Sequence, residues 1–203
     1  MTTSRLEAFS DGVIAVVVTI MVLEMRAPVQ PTWAALLKVA PVFFSYGMSF
    51  LVVAIMWVNH HHMINGVREV STRLLWANLN LLFWMSLVPF VTDYLGKNYQ
   101  VPLAVAFYGL DLGMCGMGFH LLRLEIARQH RSDPALSAHH TAMLRKNFFS
   151  FTIYFLSVPL AYVTIYASFF IFVLIPAIYF LPEKRLAEPH TMDKKRGPER
   201  PAP

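Results

Sequence analysis

Residues 12–23, GVIAVVVTIMVL, form an apolar segment without a charged side chain. A helix that crosses the hydrocarbon core of a bilayer needs about 20 mainly apolar residues. The segment before it, from Arg5 to Asp11, extends the same helical pattern toward the N-terminus. We therefore predict a first membrane-spanning helix that begins near Arg5 and ends near Leu23.

Four further apolar segments follow the first one. They cover residues 34–58, 74–95, 101–122 and 147–182. The last segment has no charged residue, and as one helix it would be about 50 Å long, which is too long for one ordinary span. Pro159 and the polar residues around 162–167 predict a break there and hence two short helices. The chain is thus predicted to be an all-α membrane protein with six transmembrane helices within residues 1–182.

The composition excludes most soluble classes of protein. Hydrophobic residues make up 56% of the 203 residues and charged residues only 14%, whereas soluble domains are about 25% charged. The net charge of +5 does not indicate nucleic-acid binding, because Lys and Arg lie almost wholly between the apolar segments. The single cysteine, Cys115, lies within an apolar segment and indicates neither a disulfide nor a metal site. Residues 183–203 are basic and rich in proline, and we expect a disordered tail there.

The distribution of positive charge predicts the orientation in the membrane. With six spans, one side holds nearly all of the 17 Lys and Arg residues, and the other side holds only Arg26, Lys38 and Lys97. Cytoplasmic segments carry the excess of Lys and Arg in membrane proteins. We therefore expect a multi-pass protein of the cell membrane, with both termini and the tail of residues 183–203 in the cytoplasm.

The branched apolar residues of the first helix follow one stripe. At about 100° per residue, Val16, Ile20 and Leu23 fall within about 60° of one another, and Thr19 lies at the border of the stripe. Asp11 points about 140° away from Val16. An aspartate within a membrane helix costs about 3 kcal/mol unless it has a partner, so Asp11 is expected to face neighbouring helices. Periodicity alone does not tell a stripe that lines a pore from one that faces lipid, and it favours lipid.

Three consecutive histidines, His60, His61 and His62, follow Trp57 near the end of the second span. Consecutive residues of a helix diverge by about 100°, whereas metal ligands on one helix favour i, i+4 spacing. We therefore expect a structural polar cluster without a bound metal, in which one or two of the histidines pair with Asp11.

Polar residues within the later spans need partners or a function. Asn78 and Asn80 in the third span are expected to form hydrogen bonds between helices. In the fourth span, Gly109 and Gly113 form a pair of small residues suited to close helix packing. Asp111 in the same span is compatible with a proton relay, an ion site or a structural contact, and the sequence does not choose among them.

The N-terminal part of the chain contains a specific signature. Its residues are Arg5-x-x-x-Phe9-Ser10-Asp11, followed by Thr19 and branched apolar residues. Supporting elements are Trp57-x-x-His60-His61 and the asparagines of the third span. This pattern closely resembles the transmembrane-protein-175 family, the endosomal and lysosomal potassium channels and their prokaryotic homologues. The resemblance covers residues 4–182, and the single six-helix unit is similar to that of the prokaryotic members, which form tetramers.

The resemblance implies a channel without a TVGYG filter, in which the first helices of four subunits line the pore. In this chain it implies a hydrophobic constriction at Val16, Ile20 and Leu23, and a contribution of the Thr19 hydroxyl to selectivity. A ring of branched apolar side chains gates by dewetting, and potassium sheds its weaker hydration shell more easily than sodium. A modest preference for potassium over sodium follows. Val16 is smaller than the Ile or Leu common at its position in the family, which predicts a looser constriction.

The resemblance also implies a polar network that anchors the pore helix. Its members are Arg5, Phe9, Ser10, Asp11, Trp57, His60, His61 and Asn78. The implied partners are the lipid bilayer, further copies of the chain in a homotetramer, and monovalent cations. We expect no nucleic acid, no cofactor and no resident metal.

Two other functional classes stay open at this point. One is a proton-coupled membrane transporter that uses Asp11, Asp111 and a histidine as a relay; an internal inverted repeat would favour it, and none is evident. The other is a membrane enzyme with His60–His62 and His120 as metal ligands. The sequence shows no nucleophile–base arrangement and no phosphate-binding loop, so we do not expect an enzyme.

Overall fold

The computed structural model describes residues 2–130 and 134–180, and within these residues the chain is helical and contains no strand. The helices are α1 Thr3–Leu23, α2 Trp33–Lys38, α3 Ala40–Ile64, α4 Thr72–Lys97, α5 Pro102–Gln129, α6 Pro134–Val163 and α7 Ile165–Phe180. The prediction of an all-α chain is confirmed. The expected tail of residues 183–203 lies outside the described residues.

The second predicted segment, 34–58, consists of two helices rather than one. Helix α2 ends at Lys38, and α3 begins at Ala40 with a proline in its first turn. Pro41 has no backbone N–H with which to bond the carbonyl of Leu37, and its ring would clash with that carbonyl in a continuous helix. The break between α2 and α3 therefore follows from the steric effect of a proline, which a hydropathy profile does not show.

Several helices extend beyond the apolar segments that predicted them. Helix α3 continues to Ile64, α5 continues to Gln129, and α6 begins at Pro134. Hydropathy marks the part of a helix that lies in hydrocarbon, whereas polar residues such as Arg and Gln continue a helix well. The predicted break near 162–167 is confirmed, since α6 ends at Val163 and α7 begins at Ile165.

Helices α6 and α7 form an antiparallel hairpin. Ser168 Oγ donates to the carbonyl of Ser157 at 2.8 Å, and at the far end of the hairpin Tyr179 OH donates to Asn147 Oδ1 at 3.2 Å. Because these contacts lie at opposite ends of the hairpin, the two helices pack along most of the length of α7.

Four of the described helices are long and apolar enough to cross a membrane: α1, α3, α4 and α5. Helix α7 has a shorter apolar segment, Ile165–Tyr179. A chain with four such helices is a membrane protein. The count of six spans stays a prediction.

Helix α5 lies at the centre of the bundle, in contact with α3, α4, α6 and α7. Its glycines allow this close packing. A Cβ on Gly113 would lie 2.9 Å from the Phe155 ring, one on Gly109 would collide with Ser157 Oγ, and one on Gly118 would lie 3.0 Å from the backbone of α4. The close packing predicted for Gly109 and Gly113 is confirmed.

One end of the bundle collects the start of α1, the end of α3, the start of α4 and the end of α5. The backbone N–H groups of Arg68 and Glu69, between α3 and α4, donate to Gln129 Oε1 at 3.1 and 3.3 Å. The amide of Gln129 in turn donates to the carbonyl of Glu69 at 2.8 Å. We call this the basic end, because most of the arginines of the described residues lie there.

Candidate functional site

Helix α1 lies at the edge of the bundle, where within the described chain it packs against α3 and α4 only. One face of the helix is buried in this contact. Its residues are Leu6, Ser10, Ile14, Val17 and Met21. Their spacing of three to four residues is the repeat of a helix face that packs on one side.

A second face of α1, about 130° from the buried one at 100° per residue, is apolar and uncovered. Val16 is 54% exposed, Ile20 41% and Leu23 77%, and Phe9 continues the same stripe toward the basic end. Thr19 is also exposed, and its hydroxyl donates to the carbonyl of Val16 at 2.9 Å. With its proton engaged there, the hydroxyl oxygen retains lone pairs that a cation or water can contact.

A chain of three hydrogen bonds joins α1, α4 and α3. Ser10 Oγ donates to the carbonyl of Leu6 at 2.9 Å and accepts from Asn78 Nδ2 at 3.0 Å. Asn78 Oδ1 lies 2.8 Å from His60 Nε2. Because Asn78 presents its oxygen to His60, the imidazole donates from Nε2. The side chains of Ser10, His60 and Asn78 are fully buried.

Two acidic residues of α1 contact the end of α3. Asp11 Oδ1 accepts from the indole nitrogen of Trp57 at 2.9 Å, and Glu7 Oε1 lies 2.8 Å from His61 Nδ1. Glu7 and Asp11 are four positions apart on α1, and Trp57 and His61 are four positions apart on α3. The two contacts therefore lie one helical turn apart on the facing surfaces of the helices, and we call them the two rungs. The expected pairing of Asp11 with a histidine is wrong, since the hydrogen bond to Asp11 comes from Trp57.

Glu7 was missed by reasoning from the sequence, although a signal for it exists. It precedes Asp11 by four residues, just as Trp57 precedes His61 by four. Two acidic residues and two N–H donors with the same i, i+4 spacing fit an antiparallel pair of helices, which was the predicted arrangement.

The other predicted network members lie outside these hydrogen bonds. Arg5 and Phe9 are exposed, and the backbone N–H of Arg5 bonds the side chain of Thr2 as part of the helix cap. His62 contacts the ring of His61 at 5.8 Å between centroids. Within the described residues, no group of three or more His, Cys, Asp and Glu side chains is placed to hold a metal ion.

Two polar features lie away from α1. Ser49, Thr92 and Tyr108 form a buried cluster, with Ser49 Oγ 2.9 Å from Tyr108 OH and 2.8 Å from Thr92 Oγ1. Asp111 is only 3% exposed, and neither of its carboxyl oxygens has a hydrogen-bond partner in the described part of the chain. The amide nitrogen of Asn80 is likewise buried there without a partner.

Comparison with known proteins places the chain among ion channels. The family model for the endosomal/lysosomal potassium channel TMEM175 matches residues 5–89. A potassium channel of Chryseobacterium sp. (strain P1-3) is 38% identical over 187 residues, which cover 92% of this chain and 96% of that protein. The human endosomal/lysosomal proton channel TMEM175 is 34% identical over 92 residues, which cover 39% of this chain and 18% of that protein.

The fold also matches a solved structure. The crystal structure of a lysosomal potassium-selective channel TMEM175 homologue from Chamaesiphon minutus has a TM-score of 0.78 and is 25% identical in sequence. The match covers 87% of this chain and 95% of that one. The signature residues from Arg5 to Asp11 and both rungs between α1 and α3 lie within the segment that matches the family model. This chain therefore belongs to the TMEM175 potassium channel family.

Proposed function

We propose that this chain is a cation channel with a modest preference for potassium over sodium, and that four copies place α1 around a central pore. The observation that supports this most directly is the apolar face of α1 formed by Val16, Ile20 and Leu23, which no other described part of the chain covers. The relative from Chryseobacterium, which matches nearly the whole chain, is named a potassium channel.

The proposed pore has a physical mechanism. Three successive rings at Val16, Ile20 and Leu23 would form an apolar constriction about 10 Å long. Water leaves such a ring easily, so ions cross it only when the ring is wide enough to stay wet. Because no cage of carbonyl groups replaces the hydration shell, the preference for potassium is modest. The oxygen of Thr19 would supply a polar contact within this apolar stretch.

In this proposal the polar contacts of α1 hold the pore helix in register. The buried bonds from His60 through Asn78 to Ser10, and the bond from Trp57 to Asp11, fix α1 against α3 and α4. A rotation of α1 would break the bonds that Asn78 and Trp57 donate to it together, so the pore-lining stripe keeps its direction. Arg5 and Phe9, exposed in one subunit, would lie at the basic mouth of the pore and between subunits.

We further propose six spans, with both termini in the cytoplasm of a cell whose plasma membrane holds the channel. The positive charges at the basic end support this orientation. The antiparallel hairpin of α6 and α7 supports the last two spans, since α7 is apolar over Ile165–Tyr179. No cofactor, resident metal or enzymatic reaction is part of the proposal.

The experiment that tests the proposal is ion flux into liposomes that contain only the purified protein. Opposed potassium and sodium gradients are applied in separate samples, and protein-free liposomes serve as the control. We expect a passive flux that favours potassium and rises linearly with concentration. The absence of flux for both ions at several pH values would overturn the channel assignment.

A second candidate function, proton-coupled transport, rests on Asp111. A carboxyl that is buried without a partner in a membrane helix is a common feature of proton pathways, and the human relative is named a proton channel. Against a relay, no hydrogen bond connects Asp111 with Asp11 or with a histidine in the described part of the chain. A pH gradient across the same liposomes separates the candidates. Proton flux that disappears in Asp111→Asn, while potassium flux persists, would favour the second one.

A further inference from the structure

A cleft of about 60 Å³ lies between α3, α5, α6 and α7, and no described residue of α1 lines it. It is partly open to the surface of the bundle. By volume it holds on the order of four water molecules, or the end of an alkyl chain. None of the side chains proposed to line the pore takes part in it.

The walls of the cleft change from polar to apolar along the helix axes. At the basic end each helix contributes at least one polar residue, and these are Asn59, Arg123, Asn147, Ser150 and Tyr179. One to two turns deeper the same helices contribute mainly apolar or small residues: Val52, Gly116, Tyr154 and Ile175. At 1.5 Å per residue, the seven positions from Val52 to Asn59 correspond to a cleft about 10 Å deep.

We call the polar end of the cleft its rim, and hydrogen bonds hold several of its side chains in place. Tyr179 OH lies 3.1 Å from Ser150 Oγ and donates to Asn147 Oδ1 at 3.2 Å. The ammonium group of Lys146 lies 4.3 Å from the centroid of the Tyr179 ring. With Arg123, two cationic residues therefore lie at the same end of the cleft, while the described part of its lining contains no acidic residue.

We propose that this cleft binds an anionic phospholipid from the leaflet at the basic end of the bundle. The phosphate group binds at the rim, near Arg123 and Lys146, and the upper part of one acyl chain occupies the apolar walls. Basic sites between transmembrane helices at the cytoplasmic side bind anionic lipid headgroups by this combination of charge and apolar contact. Arginine forms charge-assisted hydrogen bonds with phosphate that are stronger than neutral ones.

The order of the walls favours a lipid over a soluble anion or water. A soluble phosphate would contact the rim but leave the apolar walls empty. Water needs two to four polar partners, and at the depth of Val52, Gly116, Tyr154 and Ile175 the side chains offer only the Tyr154 hydroxyl. A lipid can contact both the rim and the apolar walls. Its charged headgroup lies at the membrane surface, as the rim does, and its acyl chain lies deeper, as the apolar walls do.

Photocrosslinking tests the proposal on the unaltered protein. The purified protein is incorporated into bilayers of phosphatidylcholine with a minor fraction of phosphatidylglycerol that carries a diazirine in its acyl chain. After irradiation, peptide mass spectrometry locates the label. We expect label within residues 52–56 and 175–179. Label confined to other lipid-exposed surfaces, such as the outer face of α4, would overturn the proposal.

Native mass spectrometry with matched variants tests the two parts of the site. Arg123→Gln removes charge at the rim, and Arg73→Gln removes the same charge from an exposed position of α4 at the same end. Ile55→Trp fills the apolar part, and Leu51→Trp places the same ring one turn away on α3, outside the cleft. Retained phosphatidylglycerol should fall about tenfold in both cleft variants, which corresponds to about 1.4 kcal/mol, and stay unchanged in both controls.

Two other results of the mass-spectrometry experiment would contradict the proposed lipid site. Equal retention in Arg123→Gln and Arg73→Gln would show that the basic end attracts lipid without this site. Displacement of the lipid by millimolar inorganic phosphate would identify a simple anion site. If Arg123→Gln does not fold, Ile55→Trp retains every charge and still distinguishes the cleft from the outer surface. Each of the first two results overturns the proposal.

Discussion

The amide of Asn78 on α4 donates to Ser10 Oγ on α1 at 3.0 Å, while its oxygen lies 2.8 Å from His60 Nε2 on α3. One buried side chain thus satisfies donors and acceptors on two other helices. Its loss leaves His60 Nε2 buried and unpaired, whereas Ser10 Oγ loses one donor but still bonds the carbonyl of Leu6. A buried unpaired group costs more than an average hydrogen bond is worth.

We therefore predict that Asn78→Leu destabilises the protein by about 1–3 kcal/mol. The measurement is the fraction of monodisperse protein after heating in detergent, detected by size-exclusion chromatography. Ser86→Ala on the same helix is the control, because it removes an exposed hydroxyl that bonds only the carbonyl of Phe83. Equal thermal stability of the two variants would show that the buried hydrogen bonds do not hold α1.

The bond from Trp57 to Asp11 leads to a second prediction. Trp57→Phe keeps the aromatic ring and removes the N–H donor, so Asp11 loses the hydrogen bond of 2.9 Å. Because a carboxylate in a membrane helix is costly without a partner, we expect less of the proposed tetramer on extraction, and a similar loss for Asp11→Ala. Trp76→Phe, at a 69% exposed position of α4, is the control.

The rung between Glu7 and His61 is expected to matter less than that between Asp11 and Trp57. The side chains of His61 and Glu7 are 46% and 24% exposed, and partly exposed ion pairs contribute about 0–1 kcal/mol. Glu7→Gln should therefore leave the amount of the proposed tetramer within about twofold of that of the unaltered protein, which corresponds to about 0.4 kcal/mol. A loss as large as that in Trp57→Phe would contradict this ranking and make Glu7 a principal anchor.

The membrane helices were predictable because apolar segments of sufficient length have few alternatives. The break after α6 was predictable for the same reason, since residues 147–182 are too long for one span. The break between α2 and α3 depends on the ring of Pro41, and the ends of α3 and α5 depend on polar residues that extend a helix. Hydropathy does not report either property.

The polar contacts were predictable as a group but not pair by pair. The resemblance to the family implies that Asp11, Trp57, His60 and Asn78 belong to one polar network. Which atom bonds which depends on the rotation of each helix by a few tens of degrees, and periodicity does not fix rotation that finely. For this reason Asp11 was expected to bond a histidine, whereas it accepts from Trp57.

The glycines of α5 lead to a prediction about packing. A Cβ on Gly113 would lie 2.9 Å from the Phe155 ring, whereas one on Gly47 meets nothing within 4 Å. We expect Gly113→Ala to destabilise the protein by about 1–3 kcal/mol, and Gly47→Ala to be neutral or stabilising by up to about 1 kcal/mol. The same heating experiment measures both. A neutral Gly113→Ala would mean that α5 and α6 separate easily at this level.

Thr19 leads to a prediction about selectivity in the proposed pore. Thr19→Val has nearly the same shape and removes the hydroxyl, while Thr19→Ser retains it. If the oxygen of Thr19 contacts the permeating ion, the ratio of potassium to sodium flux in liposomes falls toward one in Thr19→Val and persists in Thr19→Ser. Equal ratios in all three proteins would exclude a role of the hydroxyl.

The stripe of α1 is tested by comparing two side chains that are equally exposed in one subunit. Leu23 on α1 is 77% exposed and Phe44 on α3 is 76% exposed. If Leu23 forms a ring in the pore, Leu23→Ala widens an apolar constriction, so the conductance rises and the preference for potassium falls. Phe44→Ala should leave both unchanged, because in the proposed pore only α1 lines the path of the ion. Ile20→Ala should act in the same direction as Leu23→Ala. Unchanged currents in both α1 variants, with normal amounts of folded protein, would assign this stripe to lipid and require a different helix to line the pore.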